Sequence, residues 1–150
     1  MSEPKSETRK PRVPIEPGFF TIPDDPAVQP RLLGSRCRAC GEHFFPRRQV
    51  CARCLNDGTD DLLLSPRGTL YTWTYVHFPL FGAKRAEHAG GYGVGQVDLP
   101  EGPRVMAVLQ GEPGDFRIGM QMEMELETLR ENKEGAEVVI HRFRPVGDDR

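Results

Sequence analysis

Apolar and polar residues alternate with a period of two along much of the second half of the chain, which is the pattern of half-buried β-strands. The alternation is strictest in MQMEMELE at 120–127, where methionine or leucine alternates with glutamine or glutamate. Because successive side chains of a strand point to opposite faces, one face of this segment is expected in a core and the other in water. The methionines are therefore predicted core residues, and the glutamates a predicted solvated face.

Further segments rich in β-branched and aromatic residues predict strands at 68–78, 92–99, 104–110 and 136–143. The turn PEGP separates the second and third of these, which makes them a predicted hairpin. Five short strands within about 80 residues favour a small closed barrel over an open sheet, because closure removes exposed edges. The 14 prolines and 16 glycines argue against long helices, so the chain is expected to be mostly β.

The first 30 residues have a different pattern. They are charged and interrupted by prolines at 11, 14, 17, 23, 26 and 30, so they are too polar to form a helix or a core of their own. Phe19, Phe20 and Ile22 are apolar anchors within this stretch. We therefore expect residues 1–30 to form an extended arm that lies along a larger partner.

All four cysteines fall in the segment CRACGEHFFPRRQVCARC at 37–54, as two C-x-x-C pairs. Two facing C-x-x-C turns supply the tetrahedral set of thiolates that zinc prefers, and four thiolates leave no open position for catalysis. Disulfides and a redox dithiol are the alternatives, but a redox site uses one C-x-x-C at a helix start. The predicted cofactor is one structural Zn²⁺ held by Cys37, Cys40, Cys51 and Cys54. The predicted organisation is the arm at 1–30, a zinc ribbon at 31–60 and the barrel at 61–150.

Charge and hydropathy narrow the classes of partner. The formal net charge is -2 and the isoelectric point is near 6.1, so no overall field attracts nucleic acid or an anionic membrane. No apolar run approaches the roughly 20 residues that span a bilayer, and the N-terminal segment lacks the apolar region of a signal peptide. We expect a cytoplasmic protein without nucleic-acid or membrane partners. In that reducing compartment clustered cysteines favour a metal site over disulfides.

The order of motifs resembles a known family. RCRACGEHFFPRRQVCARC is followed by SPRGTLYTWTYVH, VDLPEGPRVMAVLQG, IGMQMEME and finally FRP at 143–145. Together they resemble proteins with a rubredoxin-like zinc ribbon followed by an OB-fold, which are associated with acyl-CoA and are often partners of thiolases. The resemblance implies a five-stranded OB-fold barrel. It also implies a non-catalytic accessory subunit that helps to form an acyl-CoA site in a complex with a thiolase-like catalytic subunit.

The residue inventory agrees with an accessory role, because thiolase chemistry needs an activated cysteine and this chain has none outside the predicted zinc site. No activity of the isolated chain is expected. Two other functions stay open. One is a structural scaffold without ligand contact. The other is binding of single-stranded nucleic acid by Tyr71, Trp73 and Tyr75, against which the acidic segment after residue 120 argues.

Candidate contacts for the phosphates of CoA are basic side chains in two places. Six arginines and one glutamate lie between residues 31 and 54, and of these arginines Arg47 and Arg48 are the candidates. The other interpretation, preferred for Arg36, Arg38 and Arg53, is that guanidinium groups partly neutralise the zinc–thiolate centre. Lys84 and Arg85 lie in the glycine-rich segment 79–93, which is either a CoA or partner surface or a plain hairpin loop.

Overall fold

Strands account for nearly all the regular structure in residues 10–78 and 90–147, the part of the chain that the computed structural model describes. The mostly-β prediction is confirmed. Within these two ranges no helix has the length and apolar content needed to cross a bilayer. The strands are β1 Arg12–Pro14, β2 Leu33–Cys37, β3 His43–Phe44, β4 Thr59–Leu63, β5 Arg67–Val76, β6 Tyr92–Asp98, β7 Arg104–Leu109, β8 Gln121–Glu131 and β9 Glu137–Pro145, and a 3₁₀ turn lies at Pro113–Asp115.

Strands β5 to β9 close into a barrel. The antiparallel pairs β5–β6, β6–β7, β8–β9 and β5–β8 are completed by the parallel pair β7–β9, where Val108 lies opposite Arg142. This is the five-stranded OB-fold, and each of its strands corresponds to one of the five predicted segments. Closure pairs residues 67–69 of β5 with β8 and residues 108–109 of β7 with β9, so part of each edge of the sheet is hydrogen-bonded to another strand.

The barrel core follows the alternation of β8 and β9. Met122 and Met124 are fully buried, and Met124 lies directly opposite the buried Phe143 in the antiparallel register. The predicted core role is confirmed for Met122 and Met124, and Met120 is partly buried against the same core. An unbranched, polarisable side chain of this kind fills irregular space between strands of a tightly curved barrel.

The glutamates on the other face of β8 are not simply solvated. Arg142 of β9 bonds Glu125 through its Nε at 2.7 Å and reaches the Glu127 carboxylate with Nη1 at 3.2 Å. Glu127 is only 3% exposed, so the expected solvated face is wrong for this residue. Arg144 contacts Glu123 at 3.2 Å, which continues the ladder of ion pairs towards the open end of the hairpin. The acid of β8 is therefore largely neutralised by arginines of the neighbouring strand.

The arm lies on the chain's own barrel wherever the structure describes it. β1 pairs in parallel with β9, and Phe20 forms an antiparallel bridge with Leu32. Phe20 is only 5% exposed and belongs to the barrel core. The expectation that Phe20 is an anchor for a partner is therefore wrong: a large aromatic ring is buried where it removes most apolar surface from water, which here is the chain's own core. Residues 1–9 lie outside the described residues.

The ribbon is a small antiparallel sheet in the order β3-β2-β4. It is joined to the barrel by shared packing, since Leu32 before β2 and Leu64 after β4 are both fully buried in the same core as the barrel residues. The division expected at residue 60 falls inside β4. Ribbon and barrel are thus held together by a continuous core as well as by the chain that connects them.

Candidate metal centre and the adjoining arginine cleft

Two matching turns carry the cysteines. In each turn the residue after the second cysteine donates its N–H to the carbonyl of the first cysteine, Gly41 to Cys37 at 2.9 Å and Leu55 to Cys51 at 3.0 Å. Both residues have a positive φ, 79° for Gly41 and 65° for Leu55. Glycine adopts this conformation freely, whereas an L-residue with a Cβ pays roughly 1–2 kcal/mol for it. We call these turns the first knuckle, 37–41, and the second knuckle, 51–55.

The knuckles bring all four sulfurs together. The Sγ atoms lie within 4.8 Å of one another, and the pairs across the knuckles, Cys37–Cys54 and Cys40–Cys51, are each 3.6 Å apart. Tetrahedral coordination with Zn–S bonds of about 2.3 Å requires sulfurs about 3.8 Å apart, which the two 3.6 Å pairs match closely. Cys37 and Cys51 are buried, while Cys40 and Cys54 reach the surface. The four cysteines therefore support a structural zinc.

Backbone N–H groups are directed at the sulfurs. The Cys51 Sγ accepts hydrogen bonds from Arg53 N at 3.4 Å and Cys54 N at 3.5 Å. The N–H of Cys40 lowers the pKa of the Cys37 thiol to about 6, although burial acts in the opposite direction. The N–H of Asn56 acts to lower the pKa of the Cys54 thiol, but burial and the adjacent Cys37 sulfur raise it to about 11. The Cys37 thiolate thus forms more readily than the Cys54 thiolate, and a divalent cation would stabilise all four against mutual repulsion.

Two arginines near the knuckles have carboxylate partners of their own. Arg38 bonds Asp60 at 2.9 Å and Arg53 bonds Glu42 at 3.2 Å, and all four side chains are well exposed. Such pairs contribute little to stability because water screens them. These guanidinium groups are shared with carboxylates and do not act on the thiolate centre alone. Arg36 lies over the first knuckle, since a Cβ at Gly41 would be 3.6 Å from its Nη2 atom.

Arg47 and Arg48 line a surface cleft of about 480 Å³ between the arm and the ribbon. Two hydrogen bonds fix the backbone of Arg48: its N–H donates to Ser35 Oγ at 2.9 Å, and the hydroxyl of Thr59 donates to its carbonyl at 2.6 Å. The arm forms the opposite wall of the cleft with Pro17, Gly18 and Phe19. The cleft is therefore formed by two separate segments of the chain, and both the arm and the ribbon hold its walls in place.

The two arginines of the cleft differ in their availability. Arg47 is paired with Asp61 at 2.8 Å, and its Nη2 would lie 2.5 Å from a Cβ at Gly18, whose φ of 81° also favours glycine. Arg48 lies over the Phe44 ring, with its Cζ 5.5 Å from the ring centroid. In the described part of the chain no carboxylate lies within 4.0 Å of the Arg48 guanidinium. Among the described residues, Arg48 is thus the arginine of this cleft that has no carboxylate partner and can bind an anionic group.

The other two basic candidates, Lys84 and Arg85, lie outside the described residues.

The aromatic side chains that could stack on nucleic-acid bases already contact other side chains. The Tyr71 ring is covered by the Arg104 guanidinium, with 3.3 Å between its Cζ and the ring centroid. Trp73 contacts Phe116 with centroids 5.3 Å apart, and Tyr75 contacts His77 at 5.0 Å.

In the described ranges 10–78 and 90–147, no hydrogen bond joins a histidine to a cysteine or serine. No histidine there is therefore placed to activate a nucleophile. His141 instead donates from Nε2 to the Met106 carbonyl at 3.3 Å and contacts the rings of Phe20 and Phe45. Sequence reasoning missed this junction, and it also missed Ser35 and Thr59 as supports of the cleft. The sequence does carry one local signal at the metal centre. The second C-x-x-C pair is followed by leucine (CARCL) where the first is followed by glycine (CRACG), and this contrast marks Leu55 as unusual.

The geometry defines a zinc-ribbon and OB-fold protein, and comparison with known proteins identifies its family. The family model described as the ChsH2 rubredoxin-like zinc ribbon domain matches residues 24–60, and the model for the ChsH2 C-terminal OB-fold domain matches residues 63–127. The chain belongs to this ChsH2-type zinc-ribbon and OB-fold family, also known as DUF35, as the order of motifs predicted.

Particular relatives extend the similarity over the whole chain. The chain is 32% identical to the benzoylsuccinyl-CoA thiolase subunit BbsA of Thauera aromatica, over 97% of this chain and 100% of that protein. It is 34% identical to a DUF35 domain-containing scaffold protein of Pyrococcus furiosus, over 77% of this chain and 84% of that protein. Among solved structures it is similar to the Ltp2-ChsH2(DUF35) aldolase, with 28% identity, a TM-score of 0.61, and coverage of 77% of this chain and 84% of the other.

Proposed function

We propose that this protein is the non-catalytic accessory subunit of a thiolase-type acyl-CoA enzyme complex. The observation that carries the proposal is the cysteine cluster: the chain has 4 cysteines, and all of them lie within one group of sulfurs. Claisen-type chemistry needs a free cysteine nucleophile, so the catalytic thiol must come from another polypeptide. The full-length similarity to a thiolase subunit supports a thiolase-like catalytic partner in a hetero-oligomer.

The metal in this proposal is one structural zinc ion held by Cys37, Cys40, Cys51 and Cys54. Their spacing and hydrogen bonds fit a closed tetrahedral site. When bound, zinc would supply folding energy and neutralise thiolate charge, and four sulfur ligands leave no coordination position for a substrate. The buried residues Leu32 and Leu64 hold the ribbon against the barrel. A reducing, cytoplasmic location is part of the proposal, since it keeps these thiols available for metal.

The proposed ligand of the complex is acyl-CoA, contacted through its phosphates. Arg48 is the strongest candidate among the described residues, because its backbone is fixed, its guanidinium has no carboxylate partner there, and it faces a cleft large enough for a phosphorylated group. Arg47 would contribute less, because Asp61 already occupies it. Lys84 and Arg85 are proposed as a second basic group that contacts CoA.

We also propose the division of the chain into an arm at 1–30, a zinc ribbon at 31–60 and a barrel at 61–150.

Binding of nucleic acid is not proposed. The rings of Tyr71, Trp73 and Tyr75 are each in contact with another side chain, so stacking on bases would have to displace those contacts. A scaffold that never contacts the ligand is the alternative within the same family. It differs from the proposal in one measurable respect, the effect of this chain on CoA affinity.

The test begins with co-purification from the native host, followed by mass spectrometry and recombinant production of the thiolase-type subunit that is recovered. Calorimetry then measures the dissociation constant of free CoA for that subunit with and without this chain. The proposal expects tighter binding with the chain present, and about tenfold weaker binding by the complex when it carries Arg48→Ala. Arg38→Ala is the matched control, because its guanidinium is paired with Asp60.

Equal CoA affinity with and without this chain would leave a pure scaffold. Failure to recover any thiolase-type subunit would contradict the proposed function as a whole. The double variant with Lys84→Ala and Arg85→Ala is expected to weaken CoA binding as well, more strongly at low salt, because charge steering is screened by ions.

A further inference from the structure

The two zinc knuckles have the same backbone but end in different residues. Gly41 and Leu55 each follow the second cysteine, each make the same N–H to carbonyl bond, and each have a positive φ. The first knuckle thus has the residue that this conformation favours, and the second does not. Leu55 is also 77% exposed, which is the largest exposed fraction among the large hydrophobic residues of the described chain.

Leucine at this position is unfavourable in the isolated chain on two counts. The left-handed conformation disfavours an L-residue with a Cβ by roughly five- to thirtyfold relative to the common regions. Burial of a leucine side chain would favour it by roughly ten- to a hundredfold, but that gain requires a surface that covers the side chain. No described residue covers Leu55, so the gain is not realised within the described part of the fold.

The surroundings of Leu55 are those of a small interface centre. Cys51 N donates to the carbonyl of Asn56 at 2.8 Å, which places the two ends of the knuckle side by side. Val50, just before Cys51, is also exposed. The exposed pair of Arg53 and Glu42 adds charge beside these apolar residues. An apolar anchor with a polar rim is the usual arrangement at the centre of a protein interface.

We propose that the second zinc knuckle docks on the thiolase-type catalytic subunit, with the Leu55 side chain inserted into an apolar pocket of that subunit. The inference rests on the proposed function, and it adds the surface through which the two subunits meet. The catalytic subunit is the occupant because a relative that matches 97% of this chain is itself a thiolase subunit. A rigid knuckle, fixed by hydrogen bonds and by zinc, presents the side chain with little loss of conformational entropy on binding.

The experiment compares three full-length, zinc-loaded variants with the unaltered chain. Leu55→Gly removes both the side chain and the strain. Leu55→Asn keeps a side chain of similar length, tolerates positive φ, and is polar. Ile118→Ala is the control, because Ile118 is nearly as exposed, at 71%, but lies on a turn of the barrel. Metal analysis confirms equal zinc content before each measurement.

Two readouts are expected to move in opposite directions. Leu55→Gly should raise the midpoint of thermal unfolding of the isolated chain by about 2–4 °C, because the strain is relieved. The same variant should weaken binding to the recombinant thiolase-type subunit by at least about tenfold, because the anchor is lost. Leu55→Asn should weaken binding similarly, and Ile118→Ala should leave it unchanged.

Each other result overturns the inference. Unchanged binding by Leu55→Gly, while the unaltered chain binds, removes the knuckle from the interface and leaves the proposed function standing. A lower unfolding midpoint of Leu55→Gly shows that this chain itself covers the leucine. Loss of a homodimer in sedimentation, with unchanged binding to the catalytic subunit, assigns the surface to a second copy. No binding by the unaltered chain overturns both this inference and the proposed function.

Discussion

The ring of Phe45, in the zinc ribbon, meets the ring of His141, on β9 of the barrel, edge to face, with centroids 6.0 Å apart and 78° between the ring planes. Phe20 of the arm lies against the same imidazole, with centroids 5.8 Å apart. One histidine therefore contacts the arm, the ribbon and the barrel at once. Its protonation state bears on how firmly the three parts are held together.

The first prediction concerns acid stability. Burial lowers the pKa of His141 below 6.5, although its hydrogen bond to the Met106 carbonyl acts in the other direction. Between pH 6.5 and the lower pKa of the folded state, the unfolded chain binds a proton that the folded chain does not. The free energy of unfolding should therefore be highest above about pH 6.5 and fall as the pH falls.

Denaturant unfolding of the zinc-loaded protein between pH 7.5 and 5.5 measures this effect, with His141→Gln as the comparison. The variant should be less stable at neutral pH but should lose less stability on acidification. Acid-promoted loss of zinc is common to both proteins and cancels in the difference. Parallel curves for the two proteins would show that His141 does not contribute to the pH dependence.

The second prediction concerns the metal. Purified protein should contain one zinc per chain, and Cys40→Ser should lose the metal together with the order of the ribbon, because zinc-binding energy is largely folding energy in such a small unit. Mass spectrometry under native conditions measures both the zinc content and the folded state of each protein. Arg53→Gln is the control, because this exposed ion pair should add less than about 1 kcal/mol. Iron in place of zinc, or full metal content in Cys40→Ser, would contradict the prediction.

The third prediction concerns the arm. Phe20→Ala should lower the free energy of unfolding by about 3–5 kcal/mol, because it removes a ring that fills part of the barrel core. Phe78→Ala changes the same residue type at a position that is 65% exposed, and it should cost less than about 1 kcal/mol. Equal effects of the two changes in denaturant unfolding would mean that the arm does not close the core.

The fourth prediction concerns the ladder of ion pairs between β8 and β9. Arg142→Met should cost about 3–5 kcal/mol, since it takes away a cation that lies beside the buried Glu127 carboxylate. Arg38→Met, which breaks an exposed pair, should cost less than about 1 kcal/mol. The double change of Arg142→Met with Glu127→Leu should recover much of the loss, because it removes the buried charge as well. No recovery would show that the arginine acts through other contacts.

The local pattern of residues along the sequence was sufficient to predict much of the fold. The alternation at 120–127 placed Met122 and Met124 in the core, because a strand that is buried on one face imposes a period of two. The two C-x-x-C pairs predicted one cluster of sulfurs, because a tight turn holds both thiols of a pair on one side. These features depend on residues that are close in sequence, so a single sequence carries them.

Features that depend on long-range closure were decided only by the tertiary structure. Glu127 has the spacing of a solvated residue, but a bulge between Thr128 and Arg130 interrupts the register with β9, and the carboxylate is buried beside Arg142. Phe20 lies in a polar, proline-rich stretch, yet it is buried in the barrel core, against which the arm lies with β1 paired in parallel to β9. The sequence by itself determined which segments form strands and which thiols can share a metal. Which strands meet, and which charges and rings are enclosed where they meet, was determined by barrel closure, since contacts between distant segments exist only once the chain has folded around a common core.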